Sequence, residues 1–250
     1  MLSKVLIGST ALLGVFLPTG CSSDPPPVDT PSSASPSAAS STSVSAGGEH
    51  ECPNPHGGVC LGPLDAGQYV TQQFLPTLTY SVPEGWDNEE DLSGNFLLVP
   101  PGGDLPGVDA GTSDYIGVYA GVKASGGCEG VASAGDSPAQ IADTIRADRD
   151  LEVAEPERTE VGGLPGLVMD ITLARQPSDD CPPFGGGPAV PLILGVTPSS
   201  LDHAIVNGLT MRLYLLAHNG GTLAIEVDDV HGGRNLAQYS ELIQHFDFGG

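Results

Sequence analysis

The sequence predicts an α+β domain in which an antiparallel sheet is packed by two helices, carried behind a disordered N-terminal tether. Three observations predict it. Apolar and polar residues alternate in several separate segments, the period of two that belongs to half-buried strands. These segments follow one another through turn signals rather than through repeated strand-helix-strand units, which points to hairpins. Two further segments carry the capping chemistry and apolar spacing of helices.

Taken in order, Leu78, Tyr80 and Val82 alternate with Thr79 and Ser81 ahead of a Pro83-Glu84-Gly85-Trp86 turn, and Asn95 to Val99 is a short apolar run. Ile116, Val118 and Ala120 define the next strand. At Ser137-Pro138-Ala139-Gln140 a Ser stands at the cap, Pro at the first helical position and Gln where a capping box requires it. Ile141 and Ile145 then share a face. Leu167, Met169, Ile171 and Leu173 mark one face of a longer strand, with Asp170 and Thr172 on the other. The span from Gln176 to Asn207 is rich in loop residues and holds one strand, Val190 to Leu194. A hairpin from Leu209 to Val227 turns at Asn219-Gly220, a pair that tolerates the positive φ values of a type I′ turn. The second helix runs from Leu236 to Phe246 behind Asn235, with Tyr239, Leu242, Ile243 and Phe246 as its apolar stripe.

The N-terminus has a different character. Lys4, an apolar run from Val5 to Leu17 and the small residues Thr19 and Gly20 form a secretory signal over residues 1–20. The run is shorter than the roughly 20 residues that a membrane-spanning helix needs. Leu17-Pro18-Thr19-Gly20-Cys21 resembles the lipobox of bacterial lipoproteins, with Pro18 where Leu is usual. That resemblance implies cleavage before Cys21 and its acylation, hence a protein held at the extracytoplasmic face of the cell membrane. Two acyl chains on Cys21 suffice for stable attachment, since each buried methylene contributes about 0.8 kcal/mol. Residues 21–48 are mostly Ser, Pro, Ala and Thr and lack the apolar bulk to offset ordering. Such a linker reaches roughly 30 Å as a flexible coil. Residues 49–250 form the expected single domain.

Cysteine arithmetic fits this division. The chain has five cysteines, and acylation of Cys21 leaves Cys52, Cys60, Cys128 and Cys181. In an oxidising compartment these allow three pairings, of which Cys52 with Cys60 and Cys128 with Cys181 is favoured. On the chain-entropy model the short loop contributes roughly 2.5 kcal/mol and the long one about 4 kcal/mol. His50, Glu51, Cys52 and His56 lie close together, but no second Cys/His pair stands at finger spacing, so zinc is not assigned.

The balance of 8 basic against 31 acidic residues gives a net charge of −23, which loss of Lys4 with the signal deepens by one unit. A surface of that sign repels phosphate backbones and anionic headgroups, so nucleic acid is excluded as a partner and the membrane is met through the lipid alone.

The order of motifs carries a further resemblance. Phe74-Leu75-Pro76 leads to Tyr80-Ser81-Val82-Pro83-Glu84-Gly85-Trp86, followed by the capped helix and then Val161-Gly162-Gly163-Leu164-Pro165-Gly166. The Arg212-Leu213-Tyr214 hairpin and a final helix ending in Phe246-Asp247-Phe248 complete it. This order resembles actinobacterial lipoproteins with a PsbP-like fold, a group similar to the mycobacterial LpqN and LpqT lipoproteins. The resemblance spans most of residues 65–248. It implies an antiparallel sheet packed by helices and a binding or scaffolding role, and it carries no catalytic residues.

The residues themselves add no catalytic site. There is no G-x-S-x-G elbow, and Ser137 reads as a helix cap. His203, His218 and His231 are expected in loops or turns and His245 on the final helix. Asp87, Glu89 and Asp91 alternate as calcium ligands would, yet Leu92 and Leu98 occupy the positions of the Gly and Glu that an EF-hand requires, so a solvated acidic loop is expected. Asp228, Asp229 and His231 read as a polar turn. Trp86, the only Trp, is expected in the core, with a pocket-lining role as the alternative. The function expected is that of a non-enzymatic envelope lipoprotein binding a small apolar ligand or an envelope protein, with no metal and no cofactor. The alternatives are a hydrolase or metal-dependent enzyme assembled from distant loops, and a structural spacer.

Overall fold

In the computed structural model, which describes residues 61–128, 135–177, 187–195 and 202–249, the alternating segments become the strands of one large antiparallel sheet. The first strands are β1 (Gly62–Leu64), β2 (Gly67–Val70), β3 (Leu78–Val82), β4 (Trp86–Leu92) and β5 (Asn95–Val99). After the short α1 (Leu105–Asp109) come β6 (Tyr115–Ala124) and α2 (Pro138–Arg146). Then follow β7 (Leu151–Val153), β8 (Glu157–Val161), β9 (Leu164–Leu173), β10 (Ala189–Leu194) and β11 (Asp202–Val206). The chain closes with β12 (Thr210–His218), β13 (Gly221–Asp229), α3 (Leu236–Ile243) and β14 (Asp247–Phe248). All described strands fall within one compact unit.

The large sheet runs β1-β4-β5-β6-β13-β12-β9-β7, with β8 also on β9 and β10 joining the end of β6. Its centre is the β12–β13 hairpin, in register from Thr210↔Asp229 to His218↔Gly221. The two-residue turn has Asn219 at φ 48° and Gly220 at φ 79°, the doubly positive geometry of type I′.

Each face of this sheet carries its own core. On one face Ile116, Val118, Leu223, Ile225 and Val227 pack against α3 and a three-stranded sheet, β14-β3-β2. On the other, Tyr119, Ala224, Met211, Leu213, Met169 and Ile171 pack against α2 and the β10–β11 arm. The alternation read at Leu167 to Leu173 thus faces the second core, and that at Leu78 to Val82 the first. The expected helix on Ser137 has its capping box in full: the Ser137 hydroxyl accepts from the Gln140 amide while the Gln140 side chain reaches the Ser137 amide. The sheet is therefore covered by two helices as expected, with a second sheet and a β arm besides.

Four expectations change. Asp87, Glu89 and Asp91 lie on β4 instead of a solvated loop, because Asn95 to Val99 pairs with that segment and recruits it as a strand. The span from Gln176 to Asn207 contributes two strands, β10 and β11, paired with each other. The last helix stops at Ile243, with Phe246 buried beyond it in the following turn. His203 lies on β11 and His218 at the end of β12, not in loops. Among the described residues no helix is long and apolar enough to cross a membrane.

Candidate functional site

A groove of about 330 Å³ opens between the β3–β4 turn and α3, lined by Ser81, Val82, Pro83, Trp86, Gln238, Glu241, Leu242 and His245. Its apolar part comes from the turn, where Pro83 ends β3 and Gly85 (φ 86°) sends the chain back into β4. Trp86 then starts β4 facing α3, only 3% exposed. Its ring meets that of Tyr239 edge-on, with centroids 5.5 Å apart and planes at 85°. This fixes the indole in one orientation at the groove. Gln238, Glu241 and His245 add polar groups to the lining. A few hundred Å³ with an aromatic wall and sparse polar groups suits a small, mostly apolar ligand. The expected core position of Trp86 is thus found, together with its pocket-lining alternative.

Behind the groove, Asp114 holds α3 in place. Its Oδ2 accepts from the Tyr239 hydroxyl at 2.8 Å and from Asn235 Nδ2 at 2.9 Å, and its Oδ1 accepts from the Val230 amide at 2.8 Å. Asp229 takes the amides of His231, Gly233 and Asn235. Asn235 therefore does not cap α3 with its own side chain. Asp114, Asp229 and His231 bring ligand atoms within 4.8 Å of one another, a spacing a cation could use. The oxygens of both carboxylates are already engaged by amide, hydroxyl and side-chain donors, so the cluster reads as a structural knot. The expected polar turn at Asp228 and Asp229 is corrected here. Both residues end β13 with no exposed surface.

The less expected chemistry is on the second face. Strand alternation puts Glu226 and Asp228 opposite to Ile225 and Val227, and both acids are fully buried. The Tyr115 hydroxyl donates to Glu226 Oε2 at 3.1 Å, and His203 Nδ1 lies 3.4 Å from the same oxygen. The Tyr119 ring packs on that of His203 with centroids 3.8 Å apart. Glu226 Oε1, both Asp228 oxygens and His203 Nε2 have no hydrogen-bond partner among the described residues. Burial, and then the Glu226 charge, push the Asp228 carboxyl well above the usual carboxylate range. Burial likewise raises the hydroxyls of Tyr115 and Tyr119, with the two carboxylates adding to it. Glu90 on β4 is raised by burial, partly offset by His203.

A second cleft, of about 240 Å³, lies along β8, β9 and β12 and includes Glu155, Glu157, Asp170, Arg212 and Tyr214. Arg212 grips Asp170 through Nε at 2.6 Å and Nη2 at 2.8 Å and donates from Nη1 to Ser240. Its fork is thereby used within the fold.

Of the residues singled out in the sequence, Cys21, Cys52, Cys60 and Cys181 lie outside the described residues, as do the signal and the tether. Cys128 is half-buried in the turn after β6. The Glu226 and Asp228 pair was not recognised from sequence as a site. The available signal was two acids at alternate positions, Glu226 inside the apolar run Leu223 to Val227 and Asp228 directly after it, on an arm of the expected hairpin.

No protein-family model matches the chain, and no curated protein matches it. Among solved structures, the solution structure of cyanobacterial PsbP (CyanoP) from Synechocystis sp. PCC 6803 is similar, with a TM-score of 0.36 and 10% identity over 79% of this chain and 99% of that one. The Saccharomyces cerevisiae Ran-binding protein Mog1p gives a TM-score of 0.35 and 9% identity over 74% of this chain and 96% of that one. Likeness at this level carries no functional argument. The fold stands as a mostly antiparallel sheet with few helices.

Proposed function

We propose that this protein is a lipid-anchored binding protein of the cell envelope, of PsbP-like fold, that takes a small apolar ligand in the groove beside Trp86. The observation that supports the reading is the groove itself: about 330 Å³, walled by Val82, Pro83, Trp86 and Leu242, with Gln238, Glu241 and His245 to orient a polar end. Cys21 supplies the anchor, residues 21–48 the reach, and the acidic domain stays clear of an anionic membrane surface. Pairing of Cys128 with Cys181 and of Cys52 with Cys60 belongs to the same proposal, since export places all four in an oxidising compartment.

The test combines native mass spectrometry of the lipoprotein purified from membranes with fluorescence titration. Trp86 is the only Trp of the chain, so its emission reports the groove alone. A copurified apolar molecule that is displaced by a fatty-acid or detergent probe, with a shift in Trp86 emission, is the expected result. A Ser81→Phe variant, filling the groove from its rim, should lose that response while keeping its melting temperature. Emission indifferent to every apolar probe, with no copurified mass, would overturn the reading.

A further inference from the structure

The Glu226 and Asp228 pair lies on the opposite face of the sheet from the groove and has no part in the proposed ligand binding. Two carboxylates two residues apart on β13 are fully buried, and among the described residues no Lys or Arg is paired with either. The titratable groups around them come from β4, β6 and β11, while β12 sets the apolar Met211 and Leu213 opposite them. Tyr115 and Tyr119 are on β6, Glu90 on β4 and His203 on β11, while Asp114, directly before β6, adds its charge. Among the described residues Glu226 Oε1 and His203 Nε2 have no hydrogen-bond partner within normal geometry, and Asp228 has only the nearby Tyr115 hydroxyl.

The arm lies over Glu226. His203 of β11 contacts Glu226 and packs on Tyr119, and Tyr119 itself leans back over Gly117, the residue paired with Glu226. Among the described residues the arm's backbone joins the large sheet through two register pairs, Ile193↔Ala124 and Leu194↔Lys123, and one bond from the Ser125 amide to the Leu192 carbonyl, while Leu192, Ile193 and Ile205 are buried in the second core. Glu226 has the Tyr115 hydroxyl and His203 Nδ1 beside it, but two ionised carboxylates sealed from water repel each other and forgo hydration. A proton on Asp228 removes one charge and supplies a donor for the unpartnered oxygens.

We propose that Glu226, Asp228 and His203 form a pH-sensitive latch, which holds the β10–β11 arm on the sheet while Asp228 keeps its proton and loosens the arm when Asp228 ionises. The ligand of this site is the proton. The Asp228 O–H bond breaks on loosening, and the proton leaves to solvent as water reaches the carboxylates beneath the arm. The raised carboxyl of Asp228 agrees with this, but the full burial of two carboxylates with no Lys or Arg paired to either, and the contact of His203 on the arm with Glu226, carry it.

Hydrogen exchange of the full mature chain, read by mass spectrometry at about pH 5.5 and about pH 8.5 with exchange times scaled for intrinsic chemistry, tests the latch. Peptides covering 189–194 and 202–206 should lose on the order of tenfold in protection at the higher pH, while α3 and the β12–β13 hairpin do not. Asp228→Asn should hold arm protection equal at both pH values, and Glu226→Gln should reduce the difference. Arm protection that is the same at both pH values in the wild type, or that changes equally in both variants, would overturn the proposal. So would restoration of protection at pH 8.5 by calcium or manganese chloride, which would make the pair a cation site instead.

Discussion

The Tyr239 hydroxyl of α3 donates to Asp114 Oδ2 at 2.8 Å, while the ring of the same tyrosine meets Trp86 edge-on. One residue thus ties the last helix to the start of β6 and also sets the aromatic wall of the groove. Burial raises the Tyr239 hydroxyl above its usual range, and the bond to Asp114 adds to the rise. Tyr239→Phe removes a hydrogen bond to a carboxylate and should cost about 1.5–3 kcal/mol. The ring contact survives, so Trp86 emission should stay unchanged while the urea midpoint falls. A shifted emission in the native state would show that the hydroxyl also positions the indole.

Asp91 gathers three amides. Its Oδ1 accepts from Gln73 at 3.1 Å and Phe74 at 2.8 Å, and its Oδ2 from Gln72 at 2.6 Å, the Phe74 bond being the buried one. These bonds pin the loop between β2 and β3 to β4. Asp91→Ala should destabilise by about 1–3 kcal/mol, because it leaves the buried Phe74 amide without an acceptor. Chemical denaturation checks it. A loss under about 1 kcal/mol would mean that the loop re-forms its bonds elsewhere.

Acid, not alkali, should suit this protein. The folded carboxyl of Asp228 lies above its unfolded value, so between those two values the folded state holds the extra proton. Stability from this group is full below the unfolded value near pH 4 and declines as pH rises, by at most about 1.4 kcal/mol per unit, until the folded value is passed. Global unfolding followed from pH 4 upward should show that decline in the wild type and a flatter profile in Asp228→Asn. A stability that climbs over this window, with the variant unchanged, would contradict it.

Gly117 is small for a reason that can be measured. A Cβ there would stand 2.0 Å from the Tyr119 hydroxyl and 2.4 Å from its ring. Gly117→Ala should therefore displace Tyr119 from His203 and cost about 1–3 kcal/mol. Gly187, with nothing within 4 Å of such a carbon, is the matched control and should tolerate Ala.

Membrane attachment rests on Cys21 in the proposed reading, and Cys21→Ser should move the protein from the membrane fraction to the soluble one. Intact mass of the wild type should exceed that of the processed chain by two or more acyl groups. A wild-type chain of unmodified mass would remove the anchor from the proposal.

Much of the fold was legible because half-buried strands write their burial in alternation. Leu78 to Val82, Leu167 to Leu173 and the Asn219-Gly220 turn are local signals, and the structure places strands and turn there. The β4 strand was not legible, since Asp87, Glu89 and Asp91 look like a solvated loop until Asn95 to Val99 pairs with them. Nor was β11, whose two core contributions depend on β10 beside it. The groove needed α3 to be laid beside the Pro83 turn, a contact between residues far apart in the chain. The buried acids were hardest, because a carboxylate inside a core runs against every residue-by-residue expectation of exposure.

The acids of β13 also decide how the central hairpin can pair. A slip of one residue would turn Glu226 and Asp228 toward Tyr239 and Leu236 and drive Ile225 and Val227 among the tyrosines of the other face. Either exchange buries a charge in hydrocarbon or strips a hydroxyl of its acceptor. The pair therefore works as a key cut into the strand, which fits the sheet in one alignment and is rejected in its neighbours.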